Sequence, residues 1–147
     1  MVYLATVAAV EDLGTDETGP AISMMRASLV IERMLRSDAP PPPPINATVR
    51  YRRLARAEHG LSGQLFYKLS AGDRVVVFAP SYEPSYPIEM IAGSAKTVAT
   101  TVSALRAYLG GMDEMTQRLH GVTPAVRTKQ TALYDRILAE LGSAPAR

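Results

Sequence analysis

Five consecutive prolines, Pro40 to Pro44, separate two apolar segments that each have the pattern of a β-strand. Proline holds φ at about −65° and has no amide hydrogen, so this run fits neither a helix interior nor a paired strand. Beyond it, "INATVRYRR" (Ile45–Arg53) alternates. Ile45, Ala47, Val49 and Tyr51 share one face; Asn46, Thr48, Arg50 and Arg52 share the other, as in a strand buried on one side. Before it lies "MMRASLVIERML" (Met24–Leu35). There Ala27, Leu29 and Ile31 alternate with Arg26, Ser28 and Glu32, and the alternation slips near Arg33, as a β-bulge makes it slip. A helix is the competing reading of this stretch. Neither flank can stand alone, because an isolated hairpin is marginal in water. The prolines are therefore expected to form a stiff loop joining two antiparallel strands of one domain. The competing role, a polyproline ligand for an SH3-like partner, needs the run exposed, and only the distant Arg36 frames it.

The other segments before Gly93 also read as strands. "VYLATVAAV" (Val2–Val10) runs into an acidic turn, Glu11–Pro20. "GQLFYKL" (Gly63–Leu69) is a short strand, and "AGDRVVVFAP" (Ala71–Pro80) is a Gly-Asp turn feeding the wholly apolar Val75–Phe78. Such a run suits a central strand covered on both faces. "PIEMIAG" (Pro87–Gly93) is the last strand. Three helices follow. Val98, Val102, Leu105 and Leu109 keep helical spacing up to Gly110; a short helix spans Asp113–His120, with Met112, Met115 and Leu119 on one side. The third starts at Thr123 as cap and Pro124 at its first position, with Val126, Leu133, Ile137 and Leu141 as an apolar stripe widened by Tyr134 and Leu138. Strands first and helices afterwards predict an α+β fold.

At 147 residues the chain can form one well-cored domain. Its net charge of +2 does not by itself call for a polyanionic partner. It has no cysteine, which excludes disulfides, thiolate metal sites and cysteine nucleophiles. No 18-residue apolar run is present, so no membrane-spanning helix is expected, and "VYLATVAAV" lacks the basic flank and cleavage site of a signal peptide.

The order "VYLATVAAVED", "ASLVIERMLRSD", "ATVRY", "LSAGDRVVVFAP" and a helix carrying "VSALRAYL" resembles the bacterial branch of the netrin-like, or tissue-inhibitor-of-metalloproteinases-like, OB-fold superfamily. The resemblance covers about residues 2–109, with Ile31–Arg36, Val49–Tyr51 and Gly72–Phe78 filling the family's second, third and late strands. It implies a small, closed OB-type five-stranded antiparallel β-barrel with one helix over residues 1–111; the helices after Gly111 lie outside this pattern and are read from the sequence as a helical C-terminal extension over 112–147. The resemblance also implies a binding role and an extracytoplasmic setting. The animal inhibitors' cysteines are missing, so their protease-blocking chemistry is carried to no residue here.

The motif-like stretches do not amount to catalytic machinery. "MIAGSAKT" (Met90–Thr97) has Met90 and Ala95 where a P-loop needs glycines to let the backbone approach phosphate. His59 and His120 have no carboxylate or serine at a triad or metal spacing. Glu11, Asp12, Asp16 and Glu17 lack the EF-hand spacing, and the Asn46 sequon lies within a strand. No catalytic, cofactor or metal residue is therefore assigned. "SYEPSYP" (Ser81–Pro87) is a proline-braced loop offering Tyr82 and Tyr86 as contact anchors. With Val126, Leu133, Tyr134, Ile137 and Leu141 these are the candidate protein-contact residues. The expected function is a non-catalytic binding or assembly module, an accessory subunit with a protein partner or a homo-oligomer. The alternative is a nucleic-acid-binding OB protein using Arg50, Arg52, Arg53 and Arg56, which is disfavoured because Tyr51 points away from Arg50 and Arg52. A third reading is an enzyme whose site is assembled from residues distant in sequence. Without P-loop glycines the chain should show no saturable ATP or GTP binding; a nucleotide-dependent rise in melting temperature, abolished by Lys96→Ala, would contradict this.

Overall fold

A computed structural model describes residues 1–15, 22–37, 45–54, 67–79 and 87–142. The chain forms two compact units, Met1–Ser94 and Ala95–Arg147. The first holds five strands: β1 (Val2–Thr15), β2 (Ile22–Arg36), β3 (Asn46–Leu54), β4 (Arg74–Phe78) and β5 (Glu89–Gly93). They form one antiparallel sheet in the order β3-β2-β1-β4-β5. The second holds α1 (Ala95–Gly110), α2 (Glu114–Leu119) and α3 (Pro124–Gly142). The fold is α+β, with the strands before the helices. The described strands β3 and β5 do not pair, so the sheet is not closed by hydrogen bonds.

The long hairpin β1–β2 is interrupted by four register shifts. Leu4 opposes Arg33 but Ala5 opposes Ile31, which leaves Glu32 as an extra residue. This bulge lies where the sequence alternation slips, and it moves the inward positions of β2 from Ile31 to Met34; both pack against the core. Ala8 is extra in the same way between Val7 and Ala9, moving the inward positions of β1 from Val7 to Val10. Each extra residue bends its strand and increases the local twist.

The core is built from one face of all five strands. Tyr3, Ala5 and Val7 of β1, Met25, Ala27 and Leu29 of β2, Ala47, Val49 and Tyr51 of β3, Val75 and Val77 of β4 and Met90 of β5 form one buried cluster with Leu69 and Ala79. Val75, Val76 and Val77 are all fully buried, as expected for a central strand covered on both faces.

Tyr67 reaches both edges of the sheet. Its main-chain N–H donates to the Arg52 carbonyl in β3 at 3.0 Å, and its hydroxyl accepts the Met90 N–H of β5 at 3.1 Å. One residue spans the gap between the two edge strands, so the sheet is strongly curled.

Several expectations need correction. The acidic turn starts later than its composition suggests: Glu11–Thr15 continue β1, with Glu11 paired to Arg26 and Asp12 to Met25. Ile45 does not share the buried face of β3; it precedes the strand and is 74% exposed, while its carbonyl accepts the Ile31 N–H at 2.8 Å. Tyr67–Leu69 lie outside the strands, and the rest of that expected strand falls outside the described residues. The helical reading of Met24–Leu35 is wrong, because cross-strand pairing on both sides makes it the second strand of the sheet.

In the second unit α1 and α3 are in contact. Val98, Val102 and Leu109 of α1 are buried, as are Leu133, Ile137 and Leu141 of α3. Arg106 pairs with Asp135 across the two helices at 2.5 Å, and the Arg127 guanidinium donates to the Gly110 carbonyl at 2.6 Å. The Thr123 hydroxyl accepts the Val126 N–H at 3.1 Å, so Thr123 caps α3 as its sequence suggests. Ile137 is fully buried, and Ile137→Ala should cost about 2–5 kcal/mol by lost transfer and cavity formation. Ala125→Ser, on the exposed start of α3, is the control and should stay within about 0.5 kcal/mol of wild type in denaturant unfolding.

Candidate functional site

The exposed face of β1–β2–β3 carries a polar pattern that runs across the three strands. Residues facing one another across the strands form rows. Glu11, Arg26 and Arg50 form one such row, and Ser28 lies directly opposite Thr48 beside it. Arg26 donates to the Glu11 carboxylate through Nε at 3.2 Å and also through Nη2. Arg50 is exposed, and no counter-ion is assigned to it among the described residues. Arg52 is half-buried opposite Met24. Arg53 faces the other way and pairs with Asp12 at 3.6 Å. The strand thus brings Arg50 and Arg52 together on one face and separates Arg53 from them. Arg56 lies outside the described residues.

Tyr51 sits between these arginines in sequence and points into the core, 1% exposed. Its hydroxyl is buried with no hydrogen-bond partner among the described residues. Burial raises its pKa; the nearby Arg53 opposes this rise and Asp12 adds to it. Tyr67 is raised as well, chiefly by burial, with the Met90 N–H acting against.

A second polar group spans three strands. The Thr6 hydroxyl donates to Glu32 Oε1 at 2.6 Å, and Arg74 Nη2 donates to Glu32 Oε2 at 2.5 Å. The bulge at Glu32 supplies the carboxylate, while Thr6 and Arg74 face each other across β1 and β4. Sequence spacing gives no sign of this cluster, since its members are 26 and 42 residues from Glu32. Its two hydrogen bonds use both carboxylate oxygens to tie β2 to β4 across β1.

The helical unit presents apolar side chains. α2 buries none of its residues, yet Met115 is 73% and Leu119 77% exposed. Tyr108 and Val126 are exposed as well. Of the expected contact stripe, Leu133, Ile137 and Leu141 are buried and Tyr134 is half-buried, which leaves Val126 on the surface. Tyr82 and Tyr86 lie outside the described residues, as do His59, Asp16, Glu17 and the five prolines. His120 ends α2, with its N–H bonded to the Thr116 carbonyl at 3.1 Å. Asp113 caps the same helix: its carboxylate accepts the Thr116 N–H at 2.7 Å, which holds its pKa below the usual value.

Among the described residues no three histidine or acidic side chains gather as metal ligands would. No helix is long and apolar enough to cross a membrane among those residues. Comparison with known protein families, characterised proteins and solved structures finds no match.

The buried tyrosines make stability depend on alkaline pH. Their folded pKa values stand above those of the unfolded chain, so their contribution is intact below about pH 10 and is lost as pH rises through the folded values. Tyr51 and Tyr67 should ionise at higher pH than a solvated tyrosine in an absorbance titration near 295 nm. Tyr51→Phe should remove amplitude from the resistant part of the signal; loss from the freely titrating part instead would show that Tyr51 ionises like an exposed tyrosine.

Proposed function

We propose that the chain is a non-catalytic binding or assembly module, an accessory subunit that joins a larger protein complex. The observation that carries this reading is α2. A helix that adds no buried side chain to its own unit holds Met115 and Leu119 in water, at positions one turn apart. Exposed apolar groups of this kind gain most by burial against a partner.

The strand order supports an OB-type barrel as the frame of the module. The order β3-β2-β1-β4-β5 is what a five-stranded OB barrel gives when opened between its third and fifth strands. Tyr67 reaches both of those strands. This is the architecture implied by the netrin-like resemblance, and an OB barrel commonly serves as a binding frame. The nucleic-acid reading rests on Arg50 and Arg52. It lacks a stacking residue on their face, since Tyr51 is buried, and sequence-tolerant binding of single strands depends on such stacking.

The test compares the intact protein with the Met115→Glu/Leu119→Glu variant. Both positions are exposed, so the melting temperature should change little. A defined set of co-purifying proteins should be present with wild type and absent with the variant. Retention of the same set by the variant would remove α2 from the interface.

A further inference from the structure

The row Glu11–Arg26–Arg50 has an acid at one end and two bases at the other. Arg26 and Arg50 are directly opposite, which places their Cβ atoms roughly 4.5–5.5 Å apart, and like charges so placed repel. Glu11 neutralises Arg26 from the β1 side. Nothing described answers Arg50 on its other side, where β3 ends the sheet. Main-chain groups there have no partner across that edge among the described residues either. The Arg52 carbonyl turns away from β2 to accept the Tyr67 N–H. In an antiparallel strand both polar groups of a residue point the same way and alternate residues share that direction. The N–H and C=O groups of Arg50 and Thr48 therefore also face outward, with no bond across that edge among the described residues.

Resting on the protein-binding reading above, we propose that the β3 edge at Thr48–Arg50 receives an extended acidic segment of a protein partner as an added strand, with a carboxylate opposite Arg50. The added strand continues the row as acid, base, base, acid and satisfies the outward main-chain groups. Arginine suits this role because its planar fork takes a carboxylate through two hydrogen bonds. A second copy of this chain pairing through β3 would set its own arginines against Arg50, so the charge pattern selects against self-pairing. A nucleic acid would use the charge but not the main-chain groups.

The experiment measures fluorescence anisotropy of the intact protein with a labelled eight-residue peptide alternating glutamate and threonine. Two controls replace glutamate by lysine or N-methylate alternate amides. The acidic peptide should bind saturably, and both controls should bind at least tenfold more weakly. Arg50→Glu should weaken the acidic peptide about tenfold, roughly the loss of one charged hydrogen-bonded pair, and restore binding of the lysine peptide. An unchanged melting temperature confirms that this variant is folded. Absence of saturable binding by the acidic peptide would overturn the proposal, as would equal binding of the N-methylated peptide. Tighter binding of an oligothymidylate than of the acidic peptide would assign the face to nucleic acid instead. Failure here leaves the α2 interface standing, since the Met115→Glu/Leu119→Glu comparison reads a different surface.

Discussion

The bulges in the β1–β2 hairpin are the constraint on which the first unit depends. Strands of 14 and 15 residues are far longer than the usual five or six, and a regular hairpin of that length lacks the bend a curled sheet needs. The extra residues Ala8 and Glu32 each reset which positions face inward, so Val10 and Met34 stay on the core side after the strands have turned. Because the hairpin curls, the inner faces of β3 and β5 contribute to the same cluster although they lie at opposite edges of the sheet. The Glu32 bulge also sets a carboxylate where Thr6 and Arg74 can both reach it. A feature that deforms the ladder thus also supplies a tie across three strands.

Curling leaves the two edges with different fates. Tyr67 occupies the outward carbonyl of Arg52 on one and the outward N–H of Met90 on the other. A tyrosine suits this gap because its ring covers apolar surface while its hydroxyl meets a main-chain donor. The remaining part of β3, Thr48 to Arg50, is left with its main chain outward and a charge that its neighbours do not balance. Long open edges invite unwanted pairing, and charged side chains are a common means of preventing it. Arg50 fits that protective role toward apolar or basic segments and reverses it toward acidic ones, so one residue serves both exclusion and selection.

The strands that alternate were legible in sequence, as was the wholly apolar β4, because burial on one or two faces leaves a direct trace in residue order. The slip at Arg33 was legible too, since a bulge must break the alternation. The failures have physical causes. Glu11–Thr15 look like a turn by composition, but pairing with β2 overrides the weak propensities of Asp and Gly. Ile45 continues the alternation on paper but precedes the first paired residue, so its side chain stays in water. Tyr67 and the Thr6–Glu32–Arg74 group join residues far apart in sequence, and no local period encodes them. For the candidate site, the side on which Arg50 lies could be read from alternation. That no described residue pairs with it could not, because Glu11, two strands away, is committed to Arg26.

The two candidate surfaces work by different physics. On α2, Met115 and Leu119 lose contact with water when covered, which is favourable for any apolar partner and weakly selective. On β3, an added strand must match main-chain spacing and bring a carboxylate to one position, and a wrong charge there costs more than a right one gains. In the proposed role of an assembly module the two kinds of contact would complement each other. Apolar burial contributes adhesion, while the strand edge discriminates among segments that could lie beside it. The sequence separates these roles, giving the charged edge to the sheet and the apolar side chains to the short helix.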